Sequence, residues 1–425
     1  MANPIGDHRG RPVVAVTGVG AVSSLGIGLA ENWAALTSGR SGIHRIARFP
    51  VTHLRTTIAG TIDFLPGEIK GLTLAAGELV ADEAVTMAGI GRPGDFPGPL
   101  FTAIPPVELE WGMRRRLFDA ADPAGPGDAY DRMIVVADAS NDRHDFEQLM
   151  YGHVGERLAE RFGTKGAPVA VTTACASGAT AIQLAVEAIR RGDADAALCL
   201  GTDCSVTAEA VIRFSLLSAL SNANEVPEAA ARPFAKDRDG FVIAEGAGAL
   251  VLENYDAAFA RGARILAVIR GVAEKADDFH RTRSKPDGSA VKGVLRNTFE
   301  DAGMEPGEIE YINAHGTGTP ENDKMEAMSL EAVFGGSLVG VPISSNKSMI
   351  GHTLSAAGAI EAVFSIQTMQ TGLIPPTINY NVPDPTITLD VVPNVARPRP
   401  VKSVLSNSFG FGGQNACLII TAEPA

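Results

Sequence analysis

The sequence predicts an α/β fold in which parallel sheet is covered by helices on both faces. Short apolar strand candidates, Pro12–Val16, Ala194–Leu200, Gly248–Leu252 and Ile265–Ile269, alternate with helical stretches, the rhythm of sheets buried on both sides. The residues best suited to chemistry fall where candidate strands end and helices begin, which is where open α/β sheets bind ligands. At 425 residues, 45% of them hydrophobic, the chain has enough material for two or three domains with substantial cores. A helix ends and a strand restarts near Arg261 to Arg264, dividing the chain into residues 1–263 and 264–425.

In chain order, the first strand runs into Gly18 and Gly20, a Gly-x-Gly that invites a nucleotide-binding reading. That signal is weak, because no acidic residue follows at a second strand end about 20 residues on. Between about Arg92 and Asp145 the composition shifts to Pro, Gly, Asp and Arg, an elaborated loop region with short helices. Its Arg114, Arg115 and Arg116 are the densest basic cluster of the chain. Next, the apolar run before Thr172 leads through Cys175 into a helix: Ile182, Ala185, Val186 and Ile189 recur at helical spacing, and Gly192 can stop it. This reading puts Cys175 in the first turn, where backbone N–H groups and the helix dipole favour a thiolate by roughly 0.3–1 kcal/mol, up to about 2 when partly buried. The same cysteine also suits a small buried hydrophobe. His315 follows the strand candidate Ile309–Ala314 and opens a loop to Thr319 and Pro320, an N-cap and first helical residue. His352 precedes a helix from Leu354 to about Thr371 and repeats the position of Cys175. The other six histidines have no such setting.

Thr173–Gly178 (TACASG), Asn313–Pro320 (NAHGTGTP), Asn346–His352 (NKSMIGH) and Asn407–Gly413 (NSFGFGG) are similar to the signatures of the β-ketoacyl-acyl-carrier-protein synthases, in the elongating type II branch with a Cys-His-His triad. The likeness runs from about residue 165 to the end and again over Val13 to Ile43. It implies a thiolase-like fold, two similar halves forming a five-layer αβαβα sandwich, and a homodimer. It implies that Cys175 takes an acyl group from an acyl carrier protein, and that His315 and His352 hold the enolate left when a malonyl unit loses carbon dioxide. Backbone N–H groups of Cys175 and Phe411 would form the oxyanion hole, with Phe411 also a gate between flanking glycines. Thr317 and Thr319 would bind the phosphopantetheine arm. A buried Lys347–Glu326 pair would brace both histidines, with Asp323 in support, and Phe214 and Phe409 would be core or pocket wall. The arm arrives on the carrier, so neither a cofactor nor a metal is expected.

Four cysteines without Cys-x-x-Cys spacing, Met1-Ala-Asn-Pro without a basic-then-apolar leader, and no uncharged apolar run of 18 residues point to a reduced cytoplasm and no membrane span. The net charge of −13 argues against nucleic acid, so a carrier would need a local basic patch. A thiolase would be expected to carry a second cysteine in the Gly410–Gly413 loop, whereas Cys417 lies beyond it. A non-catalytic partner subunit would lack the nucleophile. Departures from the family lie at Asp63–Lys70, Gly98–Pro106 and Ser218, where relatives carry a basic helix, a Gly-rich strand end and a docking arginine. These favour a specialised synthase, for very-long-chain or modified acyl groups, or a polyketide-type ketosynthase of a secondary-metabolite pathway.

Overall fold

The computed structural model describes residues 5–66, 69–106, 111–140, 147 and 150–423. Strands β1 (Val14–Ser23), β2 (Leu100–Ala103), β3 (Val169–Val171), β4 (Ala196–Asp203) and β5 (Gly246–Asn254) lie in the spatial order β1-β5-β4-β2-β3. Strands β6 (Ala267–Ala276), β7 (Tyr311–Asn313), β8 (Pro342–Ser344), β9 (Ser403–Phe409) and β10 (Gln414–Thr421) follow as β6-β10-β9-β7-β8. Both sets run first-fifth-fourth-second-third, an internal duplication that the sequence is too diverged to reveal. Pairing of β1 with β6 joins the sets into one hydrogen-bonded sheet.

The sheet is mixed rather than parallel. Pairs β1/β5, β4/β5, β6/β10 and β9/β10 are antiparallel, and parallel pairing lies on the outer side of each set, among β2, β3 and β4 and among β7, β8 and β9, with the short strand Asp390–Val391 added parallel to β8. The alternation of strands and helices counts elements but does not fix directions. The four residues Gly410–Gly413 between β9 and β10 are far too few for a parallel crossover, which needs a dozen or more.

Helices α1 (Ile69–Ala88), α2 (Trp111–Ala120), α3 (Ala129–Ala139), α4 (Ser177–Arg190), α5 (Ala208–Leu216), α6 (Ser289–Ala302), α7 (Pro320–Phe334) and α8 (Ala357–Thr371) complete the frame. α4 and α8 are buried over most of their circumference and form the middle layer. Ile182, Val186, Ile360 and Phe364 pack there against the inner faces of both sets of strands. α1 covers β1, β4 and β5 on one outer face, and α6 covers β6 and β10 on the other. The result is the five-layer arrangement. The middle helices meet through glycine: a Cβ on Gly178 would lie 2.4 Å from the Ala359 nitrogen, and one on Gly358 would lie 2.6 Å from that of Ala179. Of the variable region, residues 107–110 and 141–146 lie outside the described residues. α2 and α3 pack on each other, and no residue of α3 is buried.

Candidate active site

Cys175 sits two residues ahead of α4 rather than in its first turn. Ala174 takes a left-handed conformation, φ +48°, which is strained for a residue with a side chain and delays the helix until Ser177. The turn is held by the Ser177 hydroxyl, which accepts from the Thr173 N–H (2.8 Å) and donates to the Ala174 carbonyl (2.6 Å). The expectation of a resting thiolate is corrected as well. Burial pushes the Cys175 thiol up to about 11, against the opposing pulls of the Phe411 N–H and the Lys347 charge. Cys175 is held as a thiol, with the Phe411 N–H directed at its sulfur.

His315 leaves the end of β7, and His352 lies in the turn before α8, where Leu354 is again left-handed at φ +48°. The Leu354 N–H donates to His352 Nδ1 (3.2 Å), and Lys347 Nζ lies 3.5 Å from His315 Nδ1. A neutral imidazole that accepts on Nδ1 carries its proton on Nε2. Burial first, then the Lys347 charge, pushes both imidazoles well below the ordinary histidine range, so both are neutral. Among the described residues His352 Nε2 has no partner. The rings are 5.3 Å apart between centroids, at 84°. The Cys175 sulfur and a ring nitrogen of each histidine lie within 4.8 Å of one another. The sequence scatters these three residues over 178 positions, and the fold brings them to one point.

The supporting residues differ in one respect from expectation. Lys347 does not pair with Glu326. Its ammonium bonds the carboxylate of Glu361 on α8, and both side chains are almost fully buried. Burial pushes Glu361 up to about 7, with Lys347 pulling it down. Glu326, on α7, instead accepts from the N–H groups of His315 (2.9 Å) and Gly316 (2.8 Å) and from Asn407 Nδ2 (3.0 Å). It therefore braces the His315 backbone rather than its ring. Asp323 accepts from the N–H groups of Phe234 (2.7 Å) and Gly318 (3.2 Å), fixing the same loop. A lone carboxylate in the apolar run Ala357–Ile366 was the signal for Glu361, since an unpaired charge there would be costly.

Cys175, His315 and His352 line a cleft of about 410 Å³ that also reaches Thr317, Thr319 and Phe409. The Thr317 and Thr319 hydroxyls are hydrogen-bonded at 2.9 Å. Phe409 packs against the His315 ring, with centroids 5.7 Å apart. Phe214 and Phe411 meet with ring centroids 6.5 Å apart, and Phe241, which sequence reasoning missed, bridges Phe214 (5.4 Å) and His352 (5.2 Å). Arg114, Arg115 and Arg116 are exposed on α2, and none of them lines the cleft.

Models of the β-ketoacyl synthase N-terminal domain match residues 11–78 and 126–258, and of the C-terminal domain residues 266–381. The 3-oxoacyl-[acyl-carrier-protein] synthase 2 of Coxiella burnetii is 34% identical, over 96% of this chain and 98% of that protein. The ketoacyl synthase alpha subunit of the tetracenomycin polyketide synthase of Streptomyces glaucescens is 35% identical, over 96% of each. Among solved structures, a type II polyketide ketosynthase in complex with its acyl carrier protein superposes with a TM-score of 0.86 at 31% identity, covering 97% of this chain and 100% of that one. A β-ketoacyl synthase from Burkholderia phymatum gives 0.83, at the same identity and coverage. The chain belongs to the β-ketoacyl synthase family: it is an acyltransferase, a 3-oxoacyl-[acyl-carrier-protein] synthase that lengthens an acyl chain by decarboxylative condensation with a malonyl unit.

Proposed function

We propose that Cys175 carries the growing chain and that His315 and His352 act as a pair of neutral N–H donors for the condensation. The observation that carries this reading is the convergence of the Cys175 sulfur and both rings within 4.8 Å, with His352 Nε2 unpartnered. In the first half-reaction the Cys175 sulfur attacks the thioester carbonyl of the acyl donor. The acyl–sulfur bond to the carrier breaks, and the departing carrier thiol takes the proton that Cys175 gives up. The Phe411 N–H, already aimed at the sulfur, and the Cys175 N–H steady the tetrahedral oxyanion. In the second half-reaction malonyl-carrier loses carbon dioxide, and negative charge builds on its thioester oxygen. The two Nε2–H groups donate to that oxygen. The enolate carbon then attacks the Cys175 thioester, releasing a 3-ketoacyl product two carbons longer and a cysteine thiolate, which takes a proton from solvent. Neutral imidazoles fit this step because they donate without themselves titrating near pH 7.

Thr317 and Thr319 line the approach and suit the amides of a phosphopantetheine arm. That arm belongs to the carrier, so the chemistry uses no cofactor or metal of the enzyme's own. Phe411, between Gly410 and Gly412, is the gate whose movement would admit the acyl chain past Phe214. The functional unit is a homodimer. β3 is the open edge of the sheet, and Tyr130 and Val135 of α3 are 64% and 63% exposed, as suits surfaces a second copy would cover. No helix among the described residues is long and apolar enough to cross a membrane, and a cytoplasmic enzyme of fatty acid synthesis, with a specialised acyl donor, is the reading we favour. Incubating the protein with a ladder of acyl-carrier thioesters and measuring the mass added to the Cys175 peptide tests it. One acyl adduct per chain, on that peptide alone, is expected. Full condensing activity with no Cys175 adduct would contradict the reading.

A further inference from the structure

The cleft that holds Cys175 opens between two unlike lips. One is the end of α5, where Leu216 is 80% and Leu217 39% exposed. The other is the segment Asp277–Lys285, whose Arg281 and Arg283 are exposed and line the opening. This second lip is firmly built. The Asp277 carboxylate accepts from the N–H groups of Phe279 (3.0 Å) and Lys285 (2.8 Å), the Asp277 N–H donates to the Gly413 carbonyl (2.7 Å), and the Gly412 N–H donates to the Arg281 carbonyl (2.8 Å). Among the described residues neither guanidinium forms an ion pair or a side-chain hydrogen bond, although the chain carries 49 acidic residues. By contrast Asp239, which also borders the cleft, is engaged by Arg232 and the Ser221 hydroxyl.

Two unpartnered guanidiniums two residues apart at the mouth of a thioester site invite an anion, and arginine's planar fork favours phosphate. The proposed substrates carry one such group in a fixed place: phosphopantetheine is a neutral, dimethyl-bearing chain that ends in a phosphodiester at its carrier. We propose that Arg281 and Arg283 recognise this phosphodiester while Leu216 and Leu217 receive the apolar part of the arm. This rests on the function proposed above. The arginines lie outside the reacting centre and act in substrate recognition.

The test compares Arg281→Glu/Arg283→Glu with the unsubstituted protein on three acyl donors: acyl-pantetheine, acyl-phosphopantetheine and acyl-carrier protein. KM is expected to rise about tenfold or more for the two phosphate-bearing donors with kcat within about twofold, and to stay unchanged for acyl-pantetheine. Arg281→Lys/Arg283→Lys should recover part of the loss. A KM change for all three donors, for none, or for the carrier protein alone would overturn the inference, the last by assigning the arginines to the carrier's protein surface. Failure of the unsubstituted protein to transfer acyl groups from any donor would overturn the proposed function and this inference with it, a result distinct from altered selectivity in an active enzyme.

Discussion

The two halves of the molecule place different chemistry at the same address. In each, the chain that leaves the third strand passes through a left-handed residue beside one side chain of the cleft before it enters a buried helix: Ala174 and Cys175 before α4, Leu354 and His352 before α8. Each fourth strand ends against the other half's helix start. Asp203, at the end of β4, accepts from the Ser355 N–H (3.1 Å), while Gly410, after β9, lies close enough to the Cys175 turn that a Cβ would fall 3.2 Å from its nitrogen. The halves diverge in what the middle helix carries. α4 carries the Thr180 hydroxyl, bonded to Glu274, whereas α8 brings in Glu361 to hold Lys347 beside His315. One copy presents a thiol on a strained turn. The other fixes the protonation of two imidazoles.

The largest expected effect comes from removing what distinguishes the second half. Lys347→Met leaves the Glu361 carboxylate buried and unpaired and should cost about 3–5 kcal/mol of stability. Lys347→Met/Glu361→Leu should recover most of it, because a well-packed apolar pair is often no worse than a buried ion pair. Condensation should still fall by about 10²-fold without the cation that sets the His315 tautomer. Urea unfolding and steady-state rates check both, and a fully active double variant would end the case for Lys347 as a positioning residue.

A smaller loss should follow from disturbing what the halves share. Gly178→Ala places a methyl group where the backbone of α8 already lies, so overpacking should cost about 1–3 kcal/mol. Gly358→Ala should cost about the same if the crossing is as symmetrical as the geometry indicates. Thermal midpoints measure this, and an unaffected Gly178→Ala would mean that the helices can part freely.

The smallest effect concerns the thiol. With Cys175 pushed up to about 11, its thiolate fraction rises with pH throughout the neutral and mildly alkaline range. Iodoacetamide should therefore alkylate it about tenfold faster per pH unit from 7 to 10, with no plateau. Cys199, Cys204 and Cys417 are buried and should lag. A plateau near pH 7, read by peptide mapping, would restore the resting thiolate that the helix position alone suggested.

Strand ends before helices were legible around Cys175, His315 and His352 because apolar runs and turn residues are local signals. Strand direction was not, since it depends on which strands become neighbours across the duplication. The partner of Lys347 was hidden for a similar reason: Glu326 and Glu361 are both acidic and both near a histidine motif, and only the depth of α8 decides between them. Phe241 was illegible because an aromatic residue in an apolar run looks the same in a core and beside the His352 ring. The helix start at Ser177 rather than Cys175 turned on one backbone angle at Ala174, which an alanine in the sequence does not announce.

The central claim, that one half supplies the nucleophile and the other the enolate donors, is tested most directly by carbon dioxide release from malonyl-carrier labelled in its free carboxyl group. His352→Ala should still accept an acyl group on Cys175 but lose label release by about 10²–10³-fold, the usual cost of one oxyanion donor. Cys175→Gln should accept no acyl group yet continue to release label. Undiminished release by His352→Ala, or none by a folded Cys175→Gln, would contradict the division of labour between the halves.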